Sequence, residues 1–203
     1  MQDHAQFQLQ QAQNDLIRGL LRALDQHSPG EGGHAERVAV YAVATGERLG
    51  MDDDSLLSLR RAAQLHDVGK VRVSAELLAK PDMLTSQEWD ELKLHATLAE
   101  SVLESFSEFG DALPMIRHHH ERWDGTGYPD GMAEDSIPLG ARVIAVAEAF
   151  DSLTHDSPFR SASESSGALE EIRRNAGTQF DPEVVGAFEA ICGLIQPVDA
   201  GQL

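Results

Sequence analysis

Apolar positions recur at steps of three and four along most of the chain, and no stretch alternates convincingly with period two, so the pattern predicts helices and no sheet. From Met1 to about His27 the positions Leu9, Leu16, Leu20 and Leu24 predict one helix, near-heptad in spacing and interrupted at Gln13. Such a helix either packs on the domain or pairs with a second copy, and its Gln-rich start favours packing from Leu16 onward. Ser28-Pro29-Gly30-Glu31-Gly32-Gly33 predicts a loop, and a second helix runs from about His34 to Leu49, stopped by Gly50. Its inward face is His34, Val38, Tyr41, Ala42, Thr45 and Leu49. Asp52 to Asp54 cap a third helix with Leu56, Leu59, Ala63 and His66 on one stripe. After an irregular stretch from Val71 to Met83, Thr85-Ser86-Gln87-Glu88 fits a capping box. The fourth helix it opens carries Leu92, His95, Ala99, Val102 and Phe106 on one face.

A shorter helix from about Asp111 bears Met115, Ile116, His119 and His120, with His118 to the side. Glu121 to Ile137 is dense in Gly, Pro and Asp and reads as a loop. Pro138 then starts a helix whose core face is Val143, Val146, Ala147, Phe150 and Leu153, flanked by Ala141, Ile144, Glu148 and Asp151. Ser163 is placed to cap a helix over Glu164 to Asn175, and Asp181-Pro182 opens the last one. The expected fold is all-α, with residues 1–27 a packing or linker helix, 28–195 one domain and 196–203 a tail.

Histidine placement changes the picture. A lone imidazole on an apolar face is usually a satisfied core group. Here His34, His66, His95, His119 and His120 all fall on inward stripes of four different predicted helices, which points to a shared metal pocket. With Asp67 and an acid from Glu148 or Asp151 they make seven candidate ligands, more than one ion needs, so two ions with Asp67 as a bridge are expected. Asp151 has the alternative role of orienting a ligand histidine. Imidazole and carboxylate without sulfur suit Fe, Mn, Zn or Co better than Mg or Ca. Two ions about 3.5–4 Å apart can hold a shared hydroxide and stabilise displacement at phosphorus. Lys70 is either a surface lysine or an ammonium that neutralises a substrate phosphate.

Composition narrows the classes. The chain has 203 residues, 41% apolar and 25% charged, enough for one full core. Its 34 Asp+Glu against 16 Lys+Arg give a net charge of -18, which argues against DNA as a partner. Cys192 is the only cysteine, so neither a disulfide nor a thiolate zinc cage forms within the chain. No apolar run approaches the ~20 residues of a membrane span. The start lacks a signal-peptide core, and a cytoplasmic location without membrane attachment is the expectation.

Several segments then resemble the HD-GYP domain, a subgroup of the HD phosphohydrolases, over about His34 to Ile191. They are His34-Ala35-Glu36-Arg37-Val38, His66-Asp67-Val68-Gly69-Lys70, and the specific run His119-His120-Glu121-Arg122-Trp123-Asp124-Gly125-Thr126-Gly127-Tyr128-Pro129. Ile137-Pro138-Leu139-Gly140-Ala141-Arg142 and Gly177-Thr178-Gln179-Phe180-Asp181-Pro182 match as well. The resemblance implies an HD-type helical bundle with a metal centre in its core and hydrolysis of cyclic di-GMP to pGpG or GMP in bacterial signalling. It implies two or three divalent transition-metal ions, Fe or Mn first, with Zn, Co and Ni as further candidates. Carried over by position, His34, His66, Asp67, His95, His119, His120 and Glu148 are the ligands. Asp67 and Lys70 are the catalytic pair, and Lys70, Tyr128 and Arg160 contact substrate. A regulatory or diguanylate-cyclase-type protein and a second copy joined through the N-terminal helix are the protein partners it leaves open.

Three departures stand out. Glu148 occupies a position usually held by Asp, and Ser157 replaces an arginine in Ser157-Pro158-Phe159-Arg160. Both imply reduced activity, or in the alternative a module that binds metal and nucleotide with little turnover. Gly30 stands where three-metal members carry a glutamate, with Glu31 one residue late, which favours two ions.

Overall fold

The computed structural model describes residues 2–156 and 162–192. Helices α1 (Gln2–His27), α2 (Glu31–Arg48) and α3 (Asp53–Leu65) lead into a 3-10 turn at Val68–Arg72. The short α4 (Ala75–Leu78) and α5 (Ser86–Lys93) precede α6 (His95–Leu103), and α7 (Leu113–Arg117) follows a second 3-10 turn. The chain closes with α8 (Leu139–Thr154), α9 (Ser165–Arg174) and α10 (Pro182–Cys192). Among the described residues there is no strand, only an isolated bridge between Ala176 and Phe180.

The centre of the bundle is α2, which packs on α3, α8, α10 and α1. Tyr41 of α2, Phe150 of α8 and Phe188 of α10 meet with ring centroids 5.1–6.0 Å apart, all buried. Each such ring removes enough apolar area from water to contribute roughly 1.5–3 kcal/mol. This knot holds together α2 and α8, the pair of helices that carry His34 and Glu148.

Several boundaries differ from the sequence pattern for physical reasons. The stripe of α1 is rotated: Gln13, Ile17, Leu21 and Leu24 are buried, whereas Leu9 is 60% exposed. Gln13 interrupts nothing, because its side-chain oxygen accepts a 2.5 Å hydrogen bond from Arg61 of α3. From there on α1 packs against the bundle. The glycines before His34 are helical, since α2 begins at Glu31 with Gly30 as left-handed N-cap (φ 97°). Asp25 fixes that turn by accepting from the Gly30 and Gly32 amides.

The predicted fourth helix is two helices, broken at Leu94, although Thr85 and Glu88 do form the capping box. The stretch expected to be irregular after Gly69 holds the first 3-10 turn and α4. The ninth helix is capped at Glu164 in place of Ser163. Ser157, Arg160 and the expected tail, 196–203, lie outside the described residues.

Candidate metal centre

Helix α3 ends at Leu65, which leaves His66 at its C-cap and Asp67 at the head of the 3-10 turn. That turn presses on α6 at Gly69. A Cβ there would overlap the His95 carbonyl oxygen and stand 2.8 Å from the Ala99 nitrogen. Only glycine lets the backbones approach this closely, and the approach sets Asp67 beside His95. His119 and His120 sit in the turn beyond α7, not on a helix as the spacing predicted, because α7 stops at Arg117.

All seven candidate ligands converge. His34, His66 and Glu148 place ligand atoms within 4.8 Å of one another, and so do Asp67, His95, His119 and His120. Asp67 joins the two groups: one carboxylate oxygen is 3.2 Å from His66 Nε2 and the other 3.3 Å from His95 Nε2. The ring orientation is fixed from behind. Nδ1 of His66, His95 and His119 each lies 2.6–2.7 Å from the carbonyl oxygen three residues earlier, at Ala63, Leu92 and Ile116. A carbonyl can only accept, so each Nδ1 carries a proton and each Nε2 is the ring atom left to face the pocket.

His34 is aimed by a carboxylate. Its Nδ1 is 2.7 Å from Asp151, which also accepts two hydrogen bonds from Arg37 at 2.7 and 2.9 Å. Asp151 thus lies against Nδ1 of His34, the placement that the orienting role open to it from sequence requires. Arg37 is not singled out by the sequence pattern, although its place three residues after His34 on one helix face is a usable signal.

Electrostatics favour a bound cation. Burial opposes charge on His66, yet Asp67 beside it and Glu148 nearby raise it to about 9, so the spot attracts positive charge. Burial, aided by His120, lowers His95 to about 4, and burial lowers His119 and His120 too, leaving these rings neutral with lone pairs available. Burial would raise Asp67, but Lys70, His66 and His95 outweigh it and hold Asp67 well below the usual carboxylate range. His66 Nε2 and Asp67 Oδ1 are buried without a hydrogen-bond partner, a costly arrangement unless something else satisfies them. The donor set and these orphaned atoms fit divalent transition metals.

Around the ligands, Lys70 Nζ lies 2.8 Å from Asp67 and 2.8 Å from Glu31. Tyr128 stacks on His120 with centroids 4.8 Å apart, its phenol kept neutral by burial and by Glu148 and Asp67. Glu121, buried and not singled out from sequence, accepts from the Asp130 and Met132 amides and so pins the Gly-Tyr-Pro loop. A cavity of about 180 Å³ opens beside His119, His120 and Glu148, with Arg122 and Gln179 on its wall. Arg160, expected at the substrate, is outside the described residues.

The HD domain family model matches residues 19–184. A 3'3'-cGAMP-specific phosphodiesterase 3 of Vibrio cholerae is 40% identical over 89% of this chain and 39% of its own length. The cyclic di-GMP phosphodiesterase response regulator RpfG of Xanthomonas campestris is 33% identical over 95% of this chain and 53% of its own. The chain thus spans about half or less of these curated relatives. Among solved structures, Bd1817, an HDG"Y"P protein from Bdellovibrio bacteriovorus, superposes with TM-score 0.66 over 80% of this chain and 52% of its own, at 21% identity. No described helix is long and apolar enough to cross a membrane. With the His66-Asp67 pair at the junction of two ligand groups, this chain belongs to the HD domain family and, within it, to the HD-GYP group.

Proposed function

We propose that the chain is a metal-dependent phosphodiesterase that hydrolyses a cyclic dinucleotide, cyclic di-GMP first. The observation that carries this is the pair of adjacent candidate ligand groups joined by Asp67, each with imidazole nitrogens gathered within 4.8 Å of one another. His34, His66 and Glu148 would hold one ion and His95, His119 and His120 the other, with Asp67 between them. When bound, such a pair, Fe or Mn by preference, supplies Lewis acidity and charge neutralisation for in-line displacement at phosphorus.

The chain's own residues do the rest. The carbonyls of Ala63, Leu92 and Ile116 and the carboxylate of Asp151 keep the rings from rotating. Lys70 is held charged by Asp67 and Glu31 against its burial, and it steadies Asp67 while adding positive potential for a phosphate. Tyr128, seated on His120, would flank the bound nucleotide. One water is consumed for each phosphodiester cleaved: the P–O bond to the 3' oxygen breaks and that oxygen leaves as a hydroxyl. The first cleavage yields linear pGpG, and a second yields two GMP.

A second substrate, 3'3'-cGAMP, is favoured by the name of the 40% identical relative. Glu148 lies with His34 and His66 in spite of its extra methylene, which supports its place among the ligands. The test is incubation of Mn- or Fe-loaded protein with cyclic di-GMP and with 3'3'-cGAMP in parallel, products resolved by chromatography. Linear dinucleotide or mononucleotide from either is the expected result, and the faster substrate decides between them. Intact substrate in both, with metal bound, refutes the proposal.

A further inference from the structure

The pocket must take a phosphate-bearing anion into a protein of net charge -18, and its evident cations are already engaged. Lys70 is clamped between two carboxylates, and the Arg122 fork is held by Asp124. Lys93 differs. It is the last residue of α5, two positions before the ligand His95, and its ammonium stands 5.8 Å from the centroid of the Tyr128 ring. Its ion-pair partner is Asp90 at 3.3 Å, with side chains 41% and 76% exposed. An exposed pair of this kind is worth little and is readily exchanged for a better anion. The Tyr128 ring that carries the ammonium stacks in turn on His120 of the second ligand group. Helix α5 buries none of its residues, so this charge is not there to hold the core.

We infer that Lys93 is a substrate-binding residue: it leaves Asp90 to grip a phosphate of the cyclic dinucleotide at the rim over Tyr128, and thereby sets nucleotide affinity without touching the metals. The inference rests on the proposed function. Its test uses the 203-residue, Mn-loaded chain as wild type, Lys93→Met and Lys93→Arg. Methionine keeps an apolar stem over the ring and removes the charge, while arginine keeps the charge. The readouts are the Kd of a phosphorothioate analogue of cyclic di-GMP at several salt concentrations, the Mn content, and kcat against KM.

Lys93→Met is expected to raise Kd and KM about tenfold, the loss of one charge-assisted contact. It should flatten the salt dependence and leave Mn content and kcat near wild type, with Lys93→Arg within about twofold in Kd. Wild-type affinity and salt dependence in Lys93→Met overturn the inference alone. Loss of Mn in that variant also overturns it, since Lys93 would then act through His95. A wild type that binds no analogue and cleaves no cyclic dinucleotide removes the function and this role together.

Discussion

Replacing Asp151 by asparagine separates the fold from the metal centre more sharply than removing a ligand does. Asp151 is 1% exposed and holds three hydrogen-bonding contacts of 2.7–2.9 Å, two from Arg37 and one with His34 Nδ1. An asparagine keeps one acceptor oxygen for the guanidinium but brings an NH2 that can only donate. If that NH2 faces His34, Nδ1 becomes the acceptor and the proton moves to Nε2, which then points a hydrogen at the ion in place of a lone pair. Disturbing a partner of this type costs about 10–100-fold in metal affinity.

Arg37 meanwhile loses its countercharge. Breaking a buried pair costs about 3–5 kcal/mol, and the retained oxygen argues for the lower end, ~3 kcal/mol. At about 2–4 °C per kcal/mol for a chain of this size, the midpoint should fall by roughly 6–12 °C. Chelator competition followed by metal analysis should show the variant drop from two ions to one at a chelator concentration the wild type tolerates. The vulnerable ion is the one held by His34, His66 and Glu148. A chelator-treated melt reads the stability loss separately. An unstable variant that keeps both ions at wild-type affinity would show that Asp151 serves the fold alone and that its aim on His34 has no chemical consequence.

Three more outcomes are open to direct measurement. Gly69→Ala forces a methyl into the His95 carbonyl and against Ala99, so α6 must move away and Asp67 and His95 separate. Stability should fall by about 1–3 kcal/mol with weaker binding at the Asp67–His95 group, and unchanged melting and metal affinity would contradict the close approach. The metal-free protein should be most stable near pH 6.5. Below that value His95, His119 and His120, lowered by burial, stay neutral while the unfolded chain takes up protons, so stability falls with falling pH. Above it His66 keeps its proton up to about 9 while the unfolded chain has lost it, so stability declines as pH rises through that window. A flat profile from pH 5 to 9 in chelator would argue against both environments. Glu148→Asp should weaken the ion at His34 and His66, because it withdraws by a methylene a carboxylate that already reaches them, opposite to a gain from restoring the usual residue. Metal titration of that variant decides the sign.

The helical class and the inward gathering of the histidines were legible in the letters, because periodicity near 3.6 and imidazoles beside apolar positions report burial whatever the tertiary arrangement. Local chemistry was legible for the same reason: Thr85 and Glu88 form their capping box, Asp52 caps α3, and Asp181 accepts from the Glu183 amide at the start of α10. What one strand of letters leaves open is how faces far apart in the chain meet. Gln13 is polar and still buried, since Arg61, 48 residues away, satisfies it. Asp151 meets His34 Nδ1 because packing of α8 on α2 brings the two together across 117 residues. The division of the seven candidate ligands into two groups was likewise decided in three dimensions, with Asp67 set beside His95 where Gly69 lets the 3-10 turn approach α6. Side-chain type and spacing determine which groups seek burial, but only the packed helices determine which of them share a lone pair, a proton or an ion.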